Sequence, residues 1–299
     1  MMGSLDTDAD AAATRVRDGS GMGGKMARDD YFVTSDGVKI HYVTEGDEGS
    51  YVVLHHGYSS SAEGNWFANG VAQTLAKRHR VVAIDGRNHG KSDKPTPRGP
   101  SIPADVVELM DHLKIGRAHM HGYSMGGMIT GQILASHPER LITASFGGSG
   151  IRETDPEWQA RVPPDPSGSD PAEAEVERSL RIRSLMDSGL SREEAEARLP
   201  ELERQRAELA RRVQRAATAD GARRMRGLDI DLEKVTMPLL AINGEFDRPY
   251  SKTFRLWRQA RNFTNVILPG KGHLSAIGHP MMPPEYPEAL QKFLAIHDE

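Results

Sequence analysis

Short apolar runs alternate along the chain with stretches whose apolar residues recur at helical spacing. Residues 31–47, YFVTSDGVKIHYVTEGD, read as two short strands around the turn Asp36–Gly37, a hairpin signature. Further strand-like runs are YVVLHH (51–56), VVAID (81–85), AHMHG (118–122), LITASFGG (141–148), PLLAING (238–244) and NVILPG (265–270). Between or after them, 64–78, 104–115, 123–137 and 284–299 carry the helical pattern. Such alternation implies right-handed crossovers and an α/β fold, with a mainly parallel central sheet and helices on both faces.

One segment breaks the alternation. Residues 151–228 contain no strand-like run and no lysine, but many Arg and Glu. Asp170-Pro171-Ala172-Glu173 has the form of a helix start, and Ser191-Arg192-Glu193-Glu194 that of a capping box. Ala195, Leu199, Leu202, Leu209 and Val213 then fall at helical spacing, with Pro200 expected to kink or split the helix. The segment reads as an all-helical insertion within a core of 29–150 and 229–299. Residues 1–28 read as a flexible tail; Gly19–Gly24 match G-x-G-x-x-G there, but no strand precedes and no helix follows as a dinucleotide site requires.

Composition narrows the function classes. The 299 residues carry a net charge of −4, against the basic footprint of a nucleic-acid binder. The absence of cysteine excludes disulfides, thiolate zinc, iron–sulfur clusters and a cysteine nucleophile. No run approaches the roughly 18 apolar residues of a membrane span. The first residues carry acids and no apolar core of a signal peptide, so a soluble cytoplasmic protein is expected.

The sharpest chemical signal is Gly122-Tyr123-Ser124-Met125-Gly126, a G-x-S-x-G between the run AHMHG and a helical stretch. A serine on so tight a strand-to-helix turn needs small neighbours and presents its hydroxyl at the C-terminal sheet edge. Asp247, after PLLAI, and His273, after NVIL, fall on the same edge, in the order Ser…Asp…His. Glu245, Asp229 and Asp231 compete for the acid, and His279 for the base. His119 and His121, two apart on one strand face, make a zinc site conceivable, but hydrogen-bonded core histidines fit better, as for His55, His56 and His89.

With these motifs in order, residues 31–150 and 229–299 resemble the core of the α/β-hydrolase superfamily. His56-Gly57-Tyr58 resembles its oxyanion loop, Asp85–Ser92 the loop after its fourth strand, HGYSMGG its nucleophile elbow, INGEFD its acid loop and GKGH its histidine loop. The insertion is similar to the family's cap over the active site. The stretch KPTPRGPSIPADVVELM is more compact than in many relatives, so the helix before the nucleophile strand is expected to be trimmed at its start. Ser124 stands where epoxide- and carbon–halogen-cleaving relatives have Asp, which argues against both.

The resemblance implies a cofactor-free, metal-free serine esterase acting on a small-molecule carboxylic ester, with no nucleic-acid or membrane partner and an open oligomeric state. Ser124 is then the nucleophile, His273 the base, Asp247 its orienting acid, and the backbone N–H groups of Tyr58 and Met125 the oxyanion hole. The alternatives are carbon–carbon hydrolases of the meta-cleavage type, which often carry S-M-G-G, and ligand-binding receptors on the same fold.

Overall fold

A computed structural model describes residues 27–58, 60–95, 102–187, 189–202, 204 and 230–298. Most of the stretch read as a tail, with Gly19–Gly24, lies outside the described residues, as do Leu209, Val213 and Asp229. Eight strands form one sheet in the order β1-β2-β4-β3-β5-β6-β7-β8. They are β1 (Arg28–Val33), β2 (Lys39–Glu45), β3 (Tyr51–His55), β4 (Arg80–Ile84), β5 (Ala118–Tyr123), β6 (Leu141–Gly147), β7 (Leu239–Gly244) and β8 (Phe263–Leu268). The β1–β2 hairpin is antiparallel and joins β4 antiparallel; the other pairings are parallel. The C-terminal ends of β5, β7 and β8 therefore lie on one edge.

Parallel central strands are buried on both faces, so they are apolar throughout and their alternation only sorts side chains between two cores. In β7, Leu239 and Ala241 enter one core, while Leu240 and Ile242 enter the other. The first core is closed by α2 (Pro103–His112) through Val106, Leu109 and Met110, and by α3 (Met125–Ser136) through Ile129, Ile133 and Leu134. Leu256 of α7 (Pro249–Gln259) adds to it. The second core is closed by α1 (Val71–Leu75) and α8 (Glu285–Ile296), with Tyr286, Leu290, Phe293 and Leu294.

Two elements differ from the pattern. The stretch 64–78 is not one helix: a π-helical turn, Glu63–Phe67, is separated from α1 by Gly70 at φ 81°, which no right-handed helix accommodates. Helix α7 carried no clear apolar stripe in the sequence, because its buried face is Lys252, Thr253, Arg255 and Leu256. The described part of 151–228 is helical and strand-free, with α4 (Pro156–Gln159), α5 (Glu173–Asp187) and α6 (192–202). The Ser191 box forms: Ser191 N–H and hydroxyl donate to Glu194 Oε2 (2.8 and 2.7 Å), and Glu194 N–H donates back to Ser191 Oγ (3.3 Å). Helix α6 continues through Pro200 rather than splitting there. Ile182, Ala195 and Leu199 make a small core between α5 and α6.

Candidate active site

Ser124 sits between β5 and α3 at φ 53°, ψ −106°, outside the conformations a serine ordinarily adopts. Two approaches enforce the turn. A Cβ on Gly122 would lie 2.0 Å from the Gly126 carbonyl oxygen, and one on Gly126 would lie 2.0 Å from that of His55. The Ser124 N–H donates to Gly147 O of β6 (2.8 Å), tying the turn to the neighbouring strand. Strain of this kind, about 1–3 kcal/mol, persists only where the surroundings over-determine it.

The structure brings the three expected side chains together. Ser124 Oγ lies 2.9 Å from His273 Nε2, and His273 Nδ1 lies 2.8 Å from Asp247 Oδ2. An acceptor carboxylate at Nδ1 fixes the proton there and leaves Nε2 as the acceptor facing the serine hydroxyl. Asp247 occupies the turn after β7 and is buried. The histidine loop is held from behind by the Tyr123 hydroxyl, which donates to His273 O. It is held from the insertion by Glu173, whose carboxylate accepts from Leu274 N–H (2.7 Å) and Ser275 N–H (3.1 Å). Asp170 accepts from Ala172 N–H (2.8 Å), as a capping acid does, and from Gly272 N–H (3.2 Å).

Met125 follows Ser124 directly, and Tyr58 lies on the loop after β3. Met125 opens α3 and is buried; the Tyr58 ring is exposed and stands edge-on to His89, 5.3 Å between centroids. A Cβ on Gly57 would lie 3.5 Å from Ser124 Cβ, so the loop runs beside the serine. Gly57 is pinned at both ends: its N–H donates to Asn65 Oδ1 (2.7 Å), and its carbonyl accepts from His56 Nδ1 (2.7 Å) and Ser60 N–H (3.1 Å). Gly86 N–H donates to His56 Nε2 (3.0 Å), so His56 is the neutral Nδ1–H tautomer, and burial pushes its pKa down to about 4. In a trans peptide the N–H points opposite the carbonyl, so the Tyr58 N–H is directed away from the His56 ring.

The competing residues are engaged elsewhere. Glu245 Oε2 accepts from Gly270 N–H (2.7 Å), Asp231 caps a 3₁₀ turn through Glu233 N–H (3.2 Å), and His279 is exposed. His119 Nδ1 meets Thr143 Oγ1 at 2.9 Å and His121 Nε2 meets Tyr286 Oη at 2.8 Å, so the two do not share a ligand. His79, His119 and Asp298 do converge, with one ligand atom of each within 4.8 Å of the others. That cluster lies at the N-terminal strand ends, away from Ser124, and is already knit by Ser50 to His79 (3.2 Å) and to Asp298. No described helix is long and apolar enough to cross a membrane.

Lys252 was not singled out by its sequence context, yet its ammonium contacts the free oxygen of Asp247, Oδ1, and donates to Gly148 O (3.1 Å). The role of Asn65 and the grip of Glu173 on the histidine loop were equally hidden, since each depends on contacts distant in sequence.

Comparison with known proteins gives the same architecture. Residues 51–280 match the sequence model of the alpha/beta hydrolase fold. A pimeloyl-[acyl-carrier protein] methyl ester esterase of Yersinia enterocolitica is 27% identical over 241 residues, covering 77% of this chain and 88% of that protein. A dihydrolipoyllysine-residue acetyltransferase component of an acetoin cleaving system from Pseudomonas putida is 37% identical over 103 residues, 34% of this chain. The chain spans only 27% of that protein's length, and 30% of its counterpart from Cupriavidus necator. Among solved structures, the 2-hydroxy-6-oxo-6-phenylhexa-2,4-dienoate hydrolase of Rhodococcus sp. strain RHA1 aligns with a TM-score of 0.58 at 21% identity, over 91% of this chain and 99% of that one. The motif order, the sheet and the match over most of its length agree: this chain belongs to the alpha/beta hydrolase fold family.

Proposed function

We propose that this protein is a serine hydrolase that cleaves a small carboxylic ester through an acyl-enzyme. The observation that carries the reading is the unbroken relay from Ser124 Oγ through His273 to Asp247, at 2.9 and 2.8 Å. In the first step Ser124 Oγ attacks the acyl carbon while His273 Nε2 takes the hydroxyl proton. Asp247 holds the imidazole tautomer and stabilises the imidazolium that forms. The developing oxyanion is received by the N–H groups of Met125 and Tyr58; one such donor is typically worth about 10²–10³ in rate. Imidazolium then protonates the departing alcohol, and the same base activates water to release the acid and regenerate Ser124.

Residues 151–228 act in this reading as a cap. Their carboxylates grip the histidine loop through Asp170 and Glu173 and the start of α7 through Asp165, which accepts from Tyr250 N–H (2.8 Å) and Ser251 N–H (3.2 Å). A segment fastened there excludes water and shapes the substrate pocket. The test is a panel of p-nitrophenyl esters of increasing acyl length, with a vinylogous diketone alongside, assayed on wild type and Ser124→Ala. Ester turnover abolished by the substitution supports the reading. Turnover of the diketone alone would replace it with carbon–carbon cleavage.

A further inference from the structure

Taking the serine-hydrolase reading as its basis, we propose that Lys252 is a positioning residue whose buried ammonium holds Asp247 in place and sets how far into acid the enzyme stays active. Lysine is almost never buried unpaired, and Lys252 is buried on the inner face of α7. Its two described contacts are Asp247 Oδ1 and the Gly148 carbonyl at 3.1 Å. Asp247 thus uses one oxygen for His273 and the other for a fixed cation. Burial drives the ammonium toward losing its proton, and the Asp247 carboxylate opposes that; the net effect lowers its pKa from the ordinary lysine value.

The pair has a consequence for catalysis. A lone carboxylate would stabilise the His273 imidazolium by its full charge. A carboxylate already neutralised by Lys252 stabilises it less, so the charge of the ammonium is felt at the imidazole through Asp247. Besides the pair, Glu173 and Asp170 of the insertion bring negative charge to the loop that carries His273. Arg152, from the segment after β6, adds positive charge, and Asp165, from the insertion, adds negative charge. The Tyr123 hydroxyl, from β5, is pushed well up by burial and then by Asp247, so it stays neutral. None replaces a cation in contact with Oδ1. The ammonium also fixes the Asp247 rotamer, because its partner Gly148 is anchored by its own N–H to Ile242 O of β7 (2.9 Å).

The test compares wild type, Lys252→Arg, Lys252→Gln and Lys252→Met, each checked for folding by its melting curve. The readout is the pH profile of kcat/KM on one p-nitrophenyl ester, and of the rate of fluorophosphonate labelling. Loss of the charge should move the acidic limb of both profiles upward by on the order of one pH unit in Lys252→Gln and Lys252→Met. Lys252→Arg should restore the wild-type limb. A residue that only supports packing would lower the melting temperature and leave the limb in place, and that result in a folded Lys252→Gln overturns the proposal. If wild type neither hydrolyses ester nor labels, the serine-hydrolase reading itself has failed, which is a distinct outcome.

Discussion

Asp247 answers to two partners at once, and the cost of changing it should reflect both. Asp247→Asn keeps the shape but offers an amide to His273 and leaves Lys252 without its counter-ion. Its kcat should fall by on the order of 10³–10⁴, and its stability should fall too, since a buried charge loses its partner. Glu245→Gln, two residues away, loses a charge but keeps an amide oxygen able to accept from Gly270 N–H, and should keep most of its activity. Steady-state assays of the two variants at one pH decide between the carboxylates; a reversed ranking removes Asp247 from the relay. The three relay residues were legible in the sequence because each follows an apolar strand run, and parallel strands deliver their ends to one edge. Lys252 was not, because a lysine on a helix reads as solvated until the fold buries it. Glu173 was legible only as a helix-start acid; it spends its carboxylate on Leu274 and Ser275 instead of on its own helix.

At the scale of elements, the strand–turn–helix around Ser124 depends on close backbone contact more than on side-chain chemistry. Gly126→Ala would drive a Cβ to 2.0 Å from the His55 carbonyl. It should destabilise the fold by about 1–3 kcal/mol or more and displace the serine. Gly116→Ala, with nothing within 4 Å of the added carbon, should be nearly neutral. Thermal melts of both decide; a benign Gly126→Ala would mean that the elbow tolerates relaxation. The insertion's α5–α6 core offers a second case. Leu199→Ala opens a cavity beside Ile182 and Ala195, at a cost bounded by the roughly 2–5 kcal/mol of a full core site. On folded protein it should shift acyl-length preference across the ester panel while the pH profile stays put. An unchanged preference would make the insertion a structural appendage. The strand runs were readable as elements because burial on both faces makes them continuously apolar. The charged inner face of α7 was not, since tertiary contacts decide it, whereas the break at Gly70 is local, a left-handed glycine inside a helical pattern.

Over the whole molecule, burial of histidines links stability to acidity. His55, His56 and His121 are fully buried, and that burial pushes their pKa values down to about 3, 4 and 3. The unfolded chain takes up these protons near the ordinary pKa of about 6.5 and the folded chain does not. Their contribution to stability is therefore complete above that value and is lost as pH falls toward 3–4. Each should remove up to about 1.4 kcal/mol per pH unit in that window. Calorimetric melts should fall steadily from pH 6.5 to pH 5, and His121→Gln, which removes one of the three buried rings, should flatten the slope; a level melting temperature would show that these rings protonate in place. The reading as a serine hydrolase makes one demand on the whole chain, that a single serine be reactive. Incubation of the intact protein with a fluorophosphonate, followed by peptide mapping by mass spectrometry, measures this directly. One adduct per chain, on Ser124 and absent from folded Ser124→Ala, is the expected result. No adduct, or an adduct on another residue, would contradict it.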